Sequence, residues 1–285
     1  MNHNLKRKTY ENALRGFVYI SALITVTLLV LLIGYIFVKG LPHMSWDFLT
    51  TGPDHIAKTV GILPNILNTL YVIGLTLLIA LPLGVGAAVY LTEYAKNPKF
   101  KTIVEFTTET LAGIPSIIYG LVGMLFFARQ MALGTSLLSG SLTMTIVILP
   151  TIVRTTQESL KTVPVSYREG ALGLGSTKWH MIRTIILPSS FDGIVTGCIL
   201  SVGRIVGESA ALLFTAGMGT VIAKDLLSAY QTGGGTLSVA LYMYASERAD
   251  FDSAFAIAAT LLVLVFLINS GAKIAQKALK KKNAA

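Results

Sequence analysis

Arg204 and Glu208 stand four residues apart in an otherwise apolar stretch running from Ile199 to Phe214. A guanidinium at the centre of a bilayer costs about 2.5 to 3.5 kcal/mol on insertion scales, so it must face a polar cavity or a partner helix rather than lipid. Arg204 lies 16 residues beyond Pro188, roughly 24 Å along a helix that rises about 1.5 Å per residue, which places it mid-membrane or slightly outward. Two roles fit. Its planar donors match an oxyanion bidentately, with Glu208 one turn on neutralising the empty site and repelling the anion until displaced. Alternatively the two residues pair with each other, or with another subunit, and only fix helix packing.

A second group lies in a polar stretch, where Arg168-Glu169-Gly170-Ala171-Leu172-Gly173-Leu174-Gly175 is followed by Ile185-Ile186-Leu187-Pro188. Pro164 precedes a helix-compatible run, Gly175 with Ser176 and Thr177 can end it, and Trp179 to Leu187 leads into the next apolar block, which predicts helix, turn, helix. Gly170 and Gly175 have the glycine spacing of a phosphate-binding loop, but Ser176 stands where its lysine belongs and no apolar strand precedes it. The chain therefore carries no nucleotide site of its own. Nor does it hold a nucleophile elbow, a metalloprotease motif or an acid and base pair outside the apolar blocks, so no catalytic residues are expected. His43, His55 and His180 lack metal-ligand spacing and are read as solvated loop histidines, with no metal site.

These residues need elements that hold them in a bilayer. Hydrophobic residues make up 53% of the 285 and charged residues 13%, and the apolar residues come in blocks of membrane-spanning length. Six spans are predicted, at about 17–38, 63–92, 103–130, 136–156, 188–215 and 252–275, giving an all-α integral membrane protein. The first is read as a retained helix rather than a removed signal peptide, because no small-residue cleavage pattern follows it. The lone cysteine, Cys198, sits inside an apolar block and excludes an internal disulfide.

The net charge of +9 is distributed as the positive-inside rule requires. With both termini cytoplasmic, the inner segments hold Lys6, Arg7, Lys8 and Arg15, then Lys96, Lys99 and Lys101, then Arg154, Lys161, Arg168, Lys178 and Arg183, then Lys273, Lys277, Lys280, Lys281 and Lys282. The outer segments hold only Lys39, Lys58, Arg129, Lys224 and Arg248. A nucleic-acid binder would instead need a basic face with interleaved aromatics on a soluble domain, and there is none.

The polar stretch resembles the EAA loop of ABC-importer permeases, E-A-A-x3-G-x9-I-x-L-P, with Glu169, Ala171, Gly175, Ile185, Leu187 and Pro188 in register and Gly170 replacing the first alanine. Three further phrases resemble the PstA-type permease subunits of phosphate-specific importers: Leu111 to Gly120, Ala87 to Ala95, and Gly203 to Ala210. The resemblance implies a type I ABC-importer permease fold in a bacterial inner membrane. It divides the chain into residues 1–62 (tail, first span and outer loop), a transmembrane domain at 63–275 with its coupling loop at 160–187, and a basic tail at 276–285. It implies that a helix over 166–177, carrying Glu169, Gly170, Ala171 and Gly175, docks into an ATPase subunit. It implies inorganic phosphate as the substrate, and as partners a PstC-type sister permease, a PstB-type ATPase dimer that uses ATP and Mg2+, and a PstS-type extracytoplasmic phosphate-binding protein. The chain itself would bind no cofactor.

Other features leave alternatives open. Gly193, Gly197 and Ser201, and separately Gly203 and Gly207, are spaced for close helix contact, either within the chain or with a sister permease. Glu105 and Glu109 sit near Lys99 and Lys101 and are expected to pair at the interface. Pro115 and Pro150 are expected to kink their helices. The outer segment 216–251, with Gly217, Gly219 and Gly233-Gly234-Gly235, is flexible by composition and serves as a gate, a receptor for the binding protein or a passive linker. Another ABC-importer substrate, a small oxyanion or an amino acid, is the alternative within transport. An independent channel or secondary transporter is opposed by the EAA spacing, the lack of a symmetric pair of broken helices and the scarcity of membrane carboxylates.

Overall fold

A computed structural model describes residues 2–53, 60–222 and 225–283, so His55, Lys58 and Lys224 lie outside the described residues. Every regular element among them is helical. In chain order these are α1 (Asn2–Gly40), α2 (Trp46–Thr50), α3 (Leu63–Val89), α4 (Pro98–Gly113), α5 (Ser116–Gly123), α6 (Leu137–Thr162), α7 (Val165–Gly173) and α8 (Lys178–Met181). They continue with α9 (Leu187–Ser189), α10 (Phe191–Gly207), α11 (Ala210–Thr215), α12 (Leu226–Gln231), α13 (Leu237–Tyr242) and α14 (Phe251–Asn283). Single π-helical turns extend α3 to Tyr94 and α5 to Gln130, and join α8 to α9.

Four unbroken helical segments among the described residues are long and apolar enough to cross a membrane: Tyr10–His43, Leu63–Tyr94, Leu137–Thr162 and Phe251–Ala278. The two other predicted spans are bent. Pro98–Gly113 meets Ser116–Gln130 at 96°, and Lys178–Ser189 meets Phe191–Gly207 at 64°. The span expected at 103–130 is bent rather than straight, at the Pro115 expected to kink it: Pro115 lacks an N–H and disfavours helix in the residue before it, so Ile114 turns extended and the chain restarts at Ser116. Pro150, by contrast, stays inside an unbroken α6. The span at 188–215 is corrected, since α10 stops at Gly207 and α11 begins at Ala210. Two bent helix pairs are thus present among the described residues, with different angles.

The core is a layer of α3, α6, α10 and α11, with Val72, Met144, Ile148, Ile152, Ile205 and Leu212 fully or almost fully buried between them. Close approach is built into it. A Cβ on Gly84 of α3 would lie 2.6 Å from Ile152 Cγ2 of α6. On α10, Gly193 and Gly197 press against Ser159 and Thr155 of α6, which settles the first glycine stripe as contact within the chain. Gly203 and Gly207 have nothing within 4 Å of a Cβ and face outward.

α1 lies apart, with its apolar surface uncovered, and touches α14 near the far end through Tyr35 and Phe255, whose rings stack edge-on at 5.5 Å. There His43 Nε2 lies 3.5 Å from Asp252 Oδ1, so this histidine has an acidic neighbour rather than water alone. At the opposite end of α14, Gln276 Nε2 donates to Asp192 Oδ1 at the start of α10. α1 and α14 therefore bring both termini to the end of the bundle that carries α7.

The segment 216–251 departs from the expectation of flexibility. Gly233 to Gly235 turn inward under α3, where Asn65 and Asn68 both donate from Nδ2 to Gly235 O, at 2.8 and 3.2 Å. Gly234 N donates to Ala216 O and Gly235 N to Gly219 O, and a Cβ on Gly234 would meet the Asn68 amide at 2.5 Å. Glycine serves close packing here, and it leads into α13, whose residues 237 to 240 are buried.

Candidate functional site

Two regions hold the residues that sequence singles out. The first is the break between α10 and α11. Arg204 occupies the last turn of α10, half-buried, beside the uncovered Gly203 and Gly207. Because the chain bends at Ser190, its height is counted from Phe191, 13 residues or roughly 20 Å along α10 rather than 24 Å from Pro188. Its charge acts on Tyr119 of α5, whose hydroxyl donates to Leu111 O at 2.7 Å across the bend between α4 and α5.

Glu208 does not continue the helix. Its backbone is extended, Oε1 accepts from Ala211 N at 3.1 Å, and its carbonyl accepts from Ser238 Oγ of α13 at 2.7 Å. No ion pair joins it to Arg204, so the expected partnership one turn apart is corrected: the carboxylate accepts from the Ala211 amide, which opens α11 and has no partner within that helix. The half-buried guanidinium is left without an ion pair to Glu208. That arrangement can receive an anion without first breaking a salt bridge.

The second region is α7 together with the turn and short helix beyond it. α7 starts at Val165 after Pro164 and ends in a motif that requires glycine: Ser176 N donates to Ala171 O and Gly175 N to Leu172 O, both at 3.0 Å, with Gly175 at φ +81°. Thr177 then caps α8 through His180 N, an exposed position for this histidine. Ala171 is buried against Ala88, Val89, Met181 and Ile182, which is why a small residue sits there. Gly170 has open space at its Cβ position and Glu169 is exposed. Val165, Tyr167, Leu172 and Leu174 present apolar surface outward, and Leu174 is 92% exposed.

A connection invisible in the sequence fastens α7 from behind. Arg168 donates through Nε and Nη2 to Glu93 Oε1, at 3.0 and 2.9 Å, through Nη1 to Val163 O at 2.7 Å and through Nη2 to Leu160 O at 2.8 Å. The Glu93 side chain is 6% exposed. Lys178 Nζ adds a bond to Glu93 O and lies over the Tyr94 ring. Glu93 is the lone acid in an apolar phrase, a signal that pointed to a partner without naming it.

Glu105 and Glu109 reach α6 rather than Lys99 and Lys101. Glu109 pairs with Arg154 at 3.2 Å and Glu105 with Lys161 at 3.7 Å, while Arg154 also meets Glu158 at 3.2 Å. These pairs border a polar cavity of about 170 Å3 between α4 and α6. Among the described residues no three His, Cys, Asp or Glu side chains converge to hold a metal ion.

A helix held out from the end of a bundle, its apolar side bare and its back anchored, suits a membrane subunit moved by a separate motor. Solved structures share its fold. The chain aligns over 95% of its length with 99% of a chain from a bacterial ABC transporter that imports alginate (TM-score 0.66, 16% identity). It aligns over 76% of its length with 94% of a chain of the MetNI methionine ABC transporter (TM-score 0.60, 20% identity). The fold is that of a type I ABC-importer permease. Residues 80–283 match the model of the binding-protein-dependent transport system inner membrane component, and the chain belongs to that family. Among its relatives, the PstA phosphate transport permease of Haemophilus influenzae is 32% identical over 94% of this chain and 95% of its own. The probable ABC transporter permease YqgI of Bacillus subtilis is 38% identical over 76% of this chain and 74% of its own. The chain is thus a multi-pass inner-membrane subunit that translocates solute, working with ATPase and binding-protein partners, and ATP is hydrolysed on the separate ATPase subunits.

Proposed function

We propose that this chain is the PstA-type permease half of an importer for inorganic phosphate. The observation that carries the reading is end-to-end likeness to a PstA phosphate transport permease, joined to a guanidinium without an ion pair to Glu208 in the last turn of α10, where the helix breaks. In this reading Arg204 binds phosphate oxygens as the anion passes, and Glu208 holds the α10–α11 break in shape instead of masking Arg204. The α7 end faces the cytoplasm, as the clustering of basic residues there supports. Both termini are then cytoplasmic.

Phosphate arrives from a PstS-type binding protein at the far end and crosses between this chain and a PstC-type sister. A PstB-type ATPase dimer, using ATP and Mg2+, docks on α7 through Glu169, Gly170 and the exposed apolar residues, with Ala171 and Gly175 setting the shape of the helix. A divalent anion entering a negative cytoplasm costs about 4.6 kcal/mol per 100 mV, twice the roughly 2.3 per charge, so accumulation needs that drive.

The test is ATP-dependent uptake of labelled phosphate by the reconstituted complex, competed by arsenate and by sulfate. Inhibition by arsenate alone is expected. ATPase activity stimulated by a binding protein charged with another solute, without phosphate uptake, removes the substrate and leaves the permease. An assembled Arg204→Gln complex that still imports phosphate at the unsubstituted rate removes the role of Arg204.

A further inference from the structure

The most completely buried charge pair among the described residues belongs neither to the solute path nor to the outward face of α7. Arg168 touches three elements at once: α7 that carries it, the π-helical end of α3 through Glu93, and the last turn of α6 through the carbonyls of Leu160 and Val163. Its side chain is 18% exposed and that of Glu93 is 6% exposed. Carbonyls at a helix end have no partner within the helix, so Arg168 both neutralises a buried carboxylate and closes the α6 terminus. Lys178, on α8, holds the backbone of the same glutamate. Ala171 seats the other side of α7 in the cluster of Val89, Leu91, Met181 and Ile182.

We propose that Arg168 and Glu93 are positioning residues that make α7 and the adjoining ends of α3 and α6 move as one piece, so that a push on α7 reaches the bundle instead of bending the loop. A planar fork with five donors can hold a carboxylate and two carbonyls in fixed directions, which a flexible ammonium cannot. Without it, α7 is joined to α6 by the two residues Val163 and Pro164 and to α8 by a glycine turn, a tether that yields. The inference rests on the reading of α7 as the contact for the ATPase, but not on phosphate as the solute.

The experiment uses the complete complex with its binding protein, normalised to assembled transporter. Arg168→Gln and Glu93→Gln should each lower uptake, and the stimulation of ATPase by loaded binding protein, at least tenfold. Arg168→Lys, which keeps the charge but cannot span all three acceptors, should fall between. The double variant Arg168→Met, Glu93→Leu fills the site with apolar groups and should restore assembly but not stimulation or uptake. Stimulation retained within twofold in assembled Arg168→Gln, or restored in the double variant, overturns the proposal by reducing the pair to an ordinary stabilising contact. Leu174→Glu separates the two levels: stimulation that survives it means α7 is not the ATPase contact, and the proposal falls with that premise. Stimulation lost in Leu174→Glu but kept in Arg168→Gln overturns the clip alone.

Discussion

Gly197 and Gly203 lie on the same helix six residues apart, and replacing each with alanine separates packing inside the chain from contact beyond it. A methyl on Gly197 would lie 3.2 Å from Thr155 Cβ and closer still to Oγ1, while one on Gly203 meets nothing within 4 Å. Both positions are inside α10, so both substitutions gain about the same helix propensity, up to about 1 kcal/mol each. That gain cancels in the difference between the two variants and leaves the clash with Thr155, for which overpacking costs about 1 to 3 kcal/mol. Gly197→Ala should therefore be less stable than Gly203→Ala by about that amount in reversible unfolding of the purified chain in detergent. Gly203→Ala should match or exceed the unsubstituted chain, and any loss of uptake it causes must arise in the assembled complex, where a pull-down with the sister permease detects it. Equal stability of the two variants would refute the packing argument.

Gly170→Ala restores the alanine usual at that place and enters open space, so thermal unfolding should show α7 steadied by up to about 1 kcal/mol. Gly175→Ala forces φ +81° on a residue with a Cβ, at about 1 to 2 kcal/mol, and should weaken ATPase association in a co-purification assay. Asp225 caps α12 by accepting from Ser228 N at 2.8 Å, and its bonds to Ser228 hold its pKa below the ordinary 3.8. A depressed carboxyl supports the fold above its unfolded pKa and loses that support as pH falls through the folded value. The cap should accordingly persist at neutral pH and disappear below about 3.8, as read by amide exchange in α12, with Asp225→Ala frayed at every pH.

The sequence predicts α3 closely and finds the apolar middles of α1 and α14, though these helices run on into polar residues at Asn2 and Asn283, because a long apolar run has few ways to satisfy its backbone in lipid other than a helix. It ends α6 six residues early, since Gln157, Glu158 and Lys161 lower the hydropathy while the helix runs on to Thr162. The break after Gly207 escapes it, and Pro115 announces a kink but not one of 96°, because hydropathy measures what a segment is made of and not where its axis points. Glycine is ambiguous in the same way. Gly233 to Gly235 read as slack, yet the amides that make them a packed corner come from Asn65 and Asn68, about 170 residues earlier. Gly175 was legible because the bonds that require it are local. Arg168 and Glu93 are 75 residues apart, and only the fold brings them together.

The helix ends around α7 are held by two kinds of contact that differ in what it costs to break them. Arg168 and Glu93 are largely shielded from water, and removing one partner of such a pair costs about 3 to 5 kcal/mol. The pairs between α4 and α6 are of the other kind: Arg154, Glu109, Lys161 and Glu105 have side chains 45% to 62% exposed, in a range where each pair contributes about 0.2 to 1 kcal/mol and water readily replaces a partner. Exchange of partners is moreover built in, since Arg154 already shares itself between Glu109 and Glu158. If α3 and α6 move with α7 as proposed, these exposed pairs make the α4 seam the easier one to open. That seam already contains the polar cavity. Glu105→Gln with Glu109→Gln should leave the stability of the chain within about 2 kcal/mol, up to about 1 for each pair, while loosening the seam, seen as faster labelling of a cysteine placed at Thr108 in a Cys198→Ser background. Unchanged labelling in that variant would mean that packing, not charge, holds α4 in place.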